Sequence, residues 1–358
     1  MGEQIIHHNC KYYKGTIPCA PHKKHGVHCS SCDYYKPVDA KILIIKLGAI
    51  GDVIRTTPLI VAYKKKFKNP KFTWITLTPQ ILPAKEIDEV LELNIETLLY
   101  VQNTSFDIAI NLDKEKEACG LLKQIKAKEK FGFTLNNGET AAVNSQAIHK
   151  LNTGLFDDLS KANKKSYCEE IFEICDLTYN GEEYLLDNHS LEGFNWGAID
   201  TTKKVIGLNT GCGDRWTTRL WEIGNWANLA QELLQQGFEV ILLGGKQEDE
   251  RNKSIALESG AKYLGHFPLN QFINLVDQCD LVVTQVTMSM HLTIGLAKKI
   301  VLLNNIFNPH EFDLYNRGEI IAPEKPCDCF YKGKCIHGTS CMETIAPIKV
   351  LEAVNRNL

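Results

Sequence analysis

From Lys41 onward, short apolar runs alternate with amphipathic or polar stretches. KILIIKL (41–47) reads as a strand buried on both faces, GAIGD as a glycine turn and VIRTTPLIVAYKKKF as a helix, the opening of a βαβ unit. The runs FTWITLT, TLLYVQ, FDIAINL and KFGFTL extend this as expected strands of a parallel sheet to about residue 135. The stretch 180–202, rich in Gly, Asn, Asp and Glu, reads as a crossing between domains. A second alternation follows, with strands at KKVIGLNTG, FEVILLGG, DLVVTQ and IVLLNN. Helices are expected at LWEIGNWANLAQELLQQG, KQEDERNKSIALESG, LNQFINLVDQC and TMSMHLTIGLAKK. In the first of these, Trp226, Leu229, Leu233 and Leu234 recur at helical spacing and Gly237 supplies the stop. The pattern predicts an α/β fold of two doubly wound Rossmann-like domains, 40–180 and 203–325, facing a cleft at their strand C-terminal ends.

The two ends read differently. Residues 1–39 carry Gly15, Pro18, Pro21, Gly26 and Pro37 with little aliphatic content, a small module that needs a staple. Residues 326–358 hold a second cysteine group and a terminal helix. Eight of the 13 cysteines fall in these segments: Cys10, Cys19, Cys29 and Cys32, then Cys327, Cys329, Cys335 and Cys341. No apolar leader is expected at the start MGEQIIHHNC, so a reducing, cytoplasmic setting and structural zinc or iron are the reading, ahead of free thiols or disulfides. The Cys29-x2-Cys32 pair supplies two thiolates to one tetrahedral ion, and His7, His8, His22, His25 and His28 are alternative ligands. At the C-terminal group, spacing leaves zinc, iron and an iron–sulfur cluster open.

Composition excludes little else. An apolar fraction of 44%, a charged fraction of 23% and a formal charge of −3 describe an ordinary globular protein with no general pull toward nucleic acid. No run reaches the roughly 18 apolar residues of a membrane span. The lysines Lys64, Lys65, Lys66 and Lys68 form a solvated helix face or a seat on an anionic membrane surface.

Chemistry concentrates in four loops that leave strands and enter helices. Gly48 and Gly51 let the first loop turn tightly, with Asp52 either capping the helix or facing the cleft. The second, Asn209 to Trp221, suits a diphosphate: Thr210, Gly211, Cys212 and Gly213 offer backbone N–H groups, and Arg215 and Arg219 offer guanidinium forks. In the third, Gly245 precedes Glu248, which can accept hydrogen bonds from ribose or sugar hydroxyls or simply complement a helix dipole. In the fourth, Thr287, Met288 and Ser289 open a helix toward phosphate, and His291 supports the loop or touches the ligand.

In this order the loops resemble glycosyltransferase family 9, the ADP-heptose:lipopolysaccharide heptosyltransferase family. KILIIKLGAIGDVIRTTP is similar to its N-terminal signature, and NTGCGDRWTTRLW, LLGG and MSMHLTIGLAKKIVLL to its donor-domain motifs. The resemblance spans about residues 40 to 350. It implies a GT-B architecture, an ADP-sugar donor held by the second domain, a glycan or glycolipid acceptor such as lipopolysaccharide core, and inversion without a catalytic metal. It assigns Asp52 as catalytic base, Arg219 to the position of a phosphate-facing lysine and Glu248 to a donor-hydroxyl carboxylate. The family commonly reads Asp-Ser/Thr-Gly before the fourth-loop histidine, where this chain has Val286-Thr287-Met288. Two other readings remain: a dinucleotide-dependent oxidoreductase with metal–thiolate sites, against which the first loop lacks GxGxxG, and a non-catalytic sugar-nucleotide-binding module.

Overall fold

The computed structural model describes residues 5–187, 195–213, 216–337 and 340–358. The chain divides into two compact units, one of residues 1–47, 59–79 and 84–147, the other of 48–58, 80–83 and 148–358. Each unit contains one six-stranded sheet.

In the first unit the strands are β1 (Ala40–Ile45), β2 (Pro70–Thr76), β3 (Glu89–Glu92), β4 (Ser105–Asn111), β5 (Lys126–Asn136) and β6 (Glu139–Ala142), in the order β3-β2-β1-β4-β5-β6. All pairs are parallel except β5 with β6. Ile42, Leu43, Ile44 and Ile45 are fully buried, which is why β1 is a continuous apolar run with no alternation.

Two expectations are corrected here. TLLYVQ lies in the helix Ile95–Gln102, capped by Asn94 whose side chain accepts from the Thr97 N–H at 2.9 Å. The strand is the less apolar EVLE just before it, because a short apolar run does not by itself distinguish the two states. The single helix expected over VIRTTPLIVAYKKKF is two, Ile50–Ile54 and Pro58–Lys66. Pro58 disfavours helical backbone at Thr57, and the Thr56 and Thr57 hydroxyls turn back onto the carbonyls of Asp52 and Ile54, both at 2.7 Å.

The second unit holds β7 (Val205–Asn209), β8 (Glu239–Leu243), β9 (Lys262–Tyr263), β10 (Leu281–Gln285), β11 (Lys299–Leu303) and β12 (Gly318–Ile321), all parallel in the order β12-β11-β10-β7-β8-β9. Counted from β7, this is the doubly wound order of dinucleotide-type folds, with the winding reversing between β7 and β10. The helix Ile223–Gln235 buries Trp226, Leu229 and Leu233, leaves Leu234 partly exposed, and stops at Gly237 with φ 89°. The C-terminal helix Pro347–Asn357 completes the same core with Val350, Leu351, Ala353 and Val354. Helices Gln146–Leu155, Asp157–Ala162 and Tyr167–Ile174 are not among the elements expected from the sequence. Part of the expected crossing, 188–194, lies outside the described residues. Among the described residues, no helix is long and apolar enough to cross a membrane.

Candidate functional site

A cavity of about 780 Å³ opens at the strand C-terminal ends of the second unit, and every residue lining it belongs to that unit. Its floor is made of the loops after β7, β8 and β10, at the reversal of the winding where an α/β sheet leaves room for a ligand. The helix Ile50–Ile54 closes one side.

That helix brings Asp52 to the cavity. Ala49 is the N-cap and Asp52 sits in the first turn, so its carboxylate is not the cap. Its Oδ1 lies 2.7 Å from Nη2 of Arg55, three residues on. The Arg55 guanidinium also lies over the Tyr167 ring, 3.6 Å from the centroid, and has Glu311 at 3.8 Å. Burial works against the Arg55 charge, but Asp52, Tyr167 and Glu311 outweigh it and hold its pKa above the ordinary value.

His291 packs against the same turn. A Cβ built on Gly51 would overlap the His291 Cδ2, so glycine is what admits the ring. Burial first, then the nearby Arg55, push His291 down to about 3 against the opposing pull of Asp52; the imidazole is neutral. Its Nδ1 is buried without a hydrogen-bond partner among the described residues.

The glycines of the second and third loops meet one carboxylate. A Cβ on Gly211 would overlap Oε1 of Glu248, while Oε2 accepts the Gly245 N–H at 2.9 Å. The Asn209 amide ties the second loop to the fourth, donating to the Gly211 carbonyl at 3.2 Å and to Thr287 Oγ1 at 3.4 Å. Thr287 caps the helix Met288–Gly295 by accepting from the Ser289 N–H at 3.1 Å, and the buried Ser289 hydroxyl has no partner among the described residues.

Of the residues singled out from sequence, Gly51, Asp52, Gly211, Cys212, Gly213, Arg219, Gly245, Glu248, Thr287, Met288, Ser289 and His291 line the cavity. Gly48 and Thr210 do not; Thr210 is buried, its hydroxyl donating to Asn252 Oδ1 at 2.5 Å. Arg215 lies outside the described residues. Arg219 does double duty: Nη2 donates to the Cys212 carbonyl at 2.6 Å and Nε to that of Trp216 at 3.2 Å, so the guanidinium braces the second loop as well as facing the cavity. Burial lowers its pKa. Sequence reasoning missed Arg55, Tyr167 and Glu311, and also the apolar wall of Phe267, Leu269, Phe272 and Phe307. The one available signal was Arg55, three residues after Asp52, the spacing that brings side chains together once both lie on a helix.

The cysteine clusters need a correction. Among the described residues, no group of three or more His, Cys, Asp or Glu side chains is arranged to hold a metal ion. In the C-terminal group Cys329 and Cys335 are 3.8 Å apart, while the Cys341 sulfur accepts from the Asn305 amide at 3.3 Å. Such contacts bring sulfurs together without a formed cage. Among the described residues, no disulfide joins any of the cysteines.

Residues 100–337 match the model of glycosyltransferase family 9 (heptosyltransferase). No curated protein matches the chain. The fold is similar to that of a family 9 glycosyl transferase from Veillonella parvula, at 19% identity over 89% of this chain and 97% of that one, TM-score 0.66. It is also similar to E. coli ADP-heptose LPS heptosyltransferase II (17% identity, 88% and 98% covered, TM-score 0.63). A third likeness is to E. coli heptosyltransferase WaaC, solved with ADP-2-deoxy-2-fluoro heptose (14% identity, 89% and 100% covered, TM-score 0.60).

Proposed function

Because this chain belongs to glycosyltransferase family 9 and is a glycosyltransferase, we propose that it moves a heptose from an ADP-sugar to a hydroxyl of a glycan or glycolipid acceptor, lipopolysaccharide core being the acceptor to test first. The observation that carries this reading is the presence of the Asp52 carboxylate in one cavity with the N–H-rich turn Gly211–Gly213 and the start of the helix Met288–Gly295.

In this mechanism Asp52 takes the proton of the attacking hydroxyl as the acceptor oxygen bonds to the anomeric carbon from the face opposite the leaving group. The configuration inverts, and the bond to the diphosphate oxygen breaks. Backbone N–H groups of Gly211 to Gly213, the Ser289 hydroxyl and Arg219 stabilise the charge that gathers on the departing ADP. Glu248 accepts from a ribose or sugar hydroxyl, and the wall containing Phe267 and Phe272 supplies an apolar seat for the base. Neutral His291 supports the turn carrying Asp52 and adds no second positive charge beside Arg55. A glycolipid acceptor would be met at the cytoplasmic face of a membrane.

Calorimetric titration with ADP, UDP, GDP and NAD separates this reading from its rivals. Binding of ADP in preference to the others supports it. Binding of NAD with none of the nucleoside diphosphates would replace it with a dinucleotide-dependent function.

A further inference from the structure

We propose that Glu311 is a positioning residue for sugar transfer, acting through Arg55: it shares the guanidinium with Asp52, so that the cation holds the base in place without taking away its basicity. The inference rests on the reading of Asp52 as the general base.

One guanidinium serves two carboxylates from distant parts of the chain. Nη2 of Arg55 lies 2.7 Å from Asp52 Oδ1, and Nη1 lies 3.8 Å from Glu311 Oε2. Among the described residues, these are the two carboxylates in ion-pair contact with Arg55. All three residues line the same cavity. The side chains of Arg55 and Glu311 are largely buried, so salt and water screen them little.

Glu311 is fixed independently of Arg55. It ends the 3-10 turn Pro309–Glu311, where Asn308 Oδ1 accepts the His310 N–H at 3.0 Å. The Asn308 amide donates to the carbonyls of Ser160 and Asn163 at 2.8 and 2.7 Å, which ties the turn to the helix Asp157–Ala162. The Tyr331 hydroxyl donates to Glu311 Oε1, leaving Oε2 toward Arg55. Burial first, then Glu311 itself, hold the Tyr331 phenol above its ordinary value, so it stays a donor at neutral pH.

A carboxylate against a buried guanidinium is stabilised as the anion and gives up proton affinity. That works against a general base, which needs basicity matched to the operating pH. A second anion on the same cation acts the other way, because a like charge nearby favours the protonated form of Asp52. Two carboxylates and one guanidinium leave the group with a formal charge of −1, whereas Asp52 and Arg55 alone would be a neutral pair. The other groups packed around the pair do not replace this charge. His291 is neutral, burial keeps the Tyr184 phenol and the Cys168 thiol protonated, and burial pushes the Asp313 carboxyl up. Tyr167 offers its ring face to the cation, and Arg219 and Glu248 belong to the second and third loops of the cavity. Glu311 is the anion placed to balance Arg55 beside the base.

The test is the pH dependence of transfer from ADP-heptose in wild type, Glu311→Gln, Glu311→Asp and Asp52→Asn, with ADP affinity measured alongside. Glu311→Gln keeps the shape and an acceptor for Tyr331 but loses the charge. Its kcat should fall by about 3–10-fold, and the acid limb of its profile should move to lower pH by about 0.5–1 unit. ADP affinity should stay within about twofold of wild type, and Glu311→Asp, which keeps the charge, should return the limb to its wild-type place. Should the glutamine variant not fold, Glu311→Ala makes the same comparison. An acid limb unmoved by loss of the charge, with or without a lower kcat, would overturn the proposal while a crippled Asp52→Asn still upheld Asp52 as base. Wild-type transfer by Asp52→Asn would remove both.

Discussion

The Arg55 guanidinium stands 2.7 Å from the Asp52 carboxylate, within a single short helix at the edge of the cavity. The pair is not an ordinary exposed i,i+3 contact, because Arg55 is largely buried over the Tyr167 ring and has a second carboxylate, Glu311, on its other side. A carboxylate paired with so fixed a partner is itself held in place at the cavity it lines. Arg55→Met should therefore reduce turnover by about 10–10²-fold, as small misplacements of reacting groups do, while ADP affinity changes little. Arg55→Lys should recover part of the loss. Steady-state kinetics beside calorimetry check this, and wild-type turnover in Arg55→Met would remove the residue from the mechanism.

Gly51 is the second point of contact with this helix. Its substitution by alanine sets a methyl group into the space of the buried His291 ring. Overpacking of this kind costs about 1–3 kcal/mol. Thermal or denaturant unfolding of Gly51→Ala should show that loss, and an unchanged midpoint would mean that the ring moves aside freely.

The same histidine makes stability depend on pH. Its folded pKa, about 3, lies below the ordinary value of 6.5. Between these values the unfolded chain binds a proton that the folded chain does not, so stability is fully present above pH 6.5 and is lost as pH falls toward 3. By linkage this one group costs about 1 kcal/mol between about pH 7 and about pH 5.5. Denaturant titrations at the two pH values should show a smaller difference in His291→Gln than in wild type. Equal differences would mean that the ring is not held neutral.

Glu248 is enclosed by glycines, and its two oxygens face different tasks: Oε2 caps its own turn at Gly245, and Oε1 lies against Gly211. If a donor hydroxyl completes the set, Glu248→Gln should weaken ADP-sugar binding by about 10–10²-fold, the worth of a hydrogen bond to a charged group. Calorimetry with an ADP-sugar checks this; unchanged affinity would confine Glu248 to its capping role.

Much of this was legible in the sequence because parallel strands buried on both faces leave uninterrupted apolar runs. KILIIKL, FEVILLGG and DLVVTQ each fall on a strand, and the loops after them carry Asp52, Glu248 and Thr287. What escaped did so for physical reasons. TLLYVQ is apolar enough for either state, and the Asn94 cap decided it. Arg55 gives no periodic signal of its own; its importance comes from Tyr167 and Glu311, which are distant in sequence. The apolar wall at Phe267 and Phe307 sits on irregular segments where no period marks a face. Arg219 was read for its charge, and its service to the Cys212 and Trp216 carbonyls requires the folded loop to be seen.

The role of Asp52 as base is decided by comparing wild type with Asp52→Asn in one assay, following acceptor-dependent release of ADP from ADP-heptose with lipopolysaccharide core as acceptor and measuring ADP affinity alongside. Turnover should be lower by about 10²–10⁴-fold in the variant, the range for loss of a general base, with ADP affinity within about twofold of wild type. An Asp52→Asn enzyme that transfers at the wild-type rate would contradict the proposed mechanism.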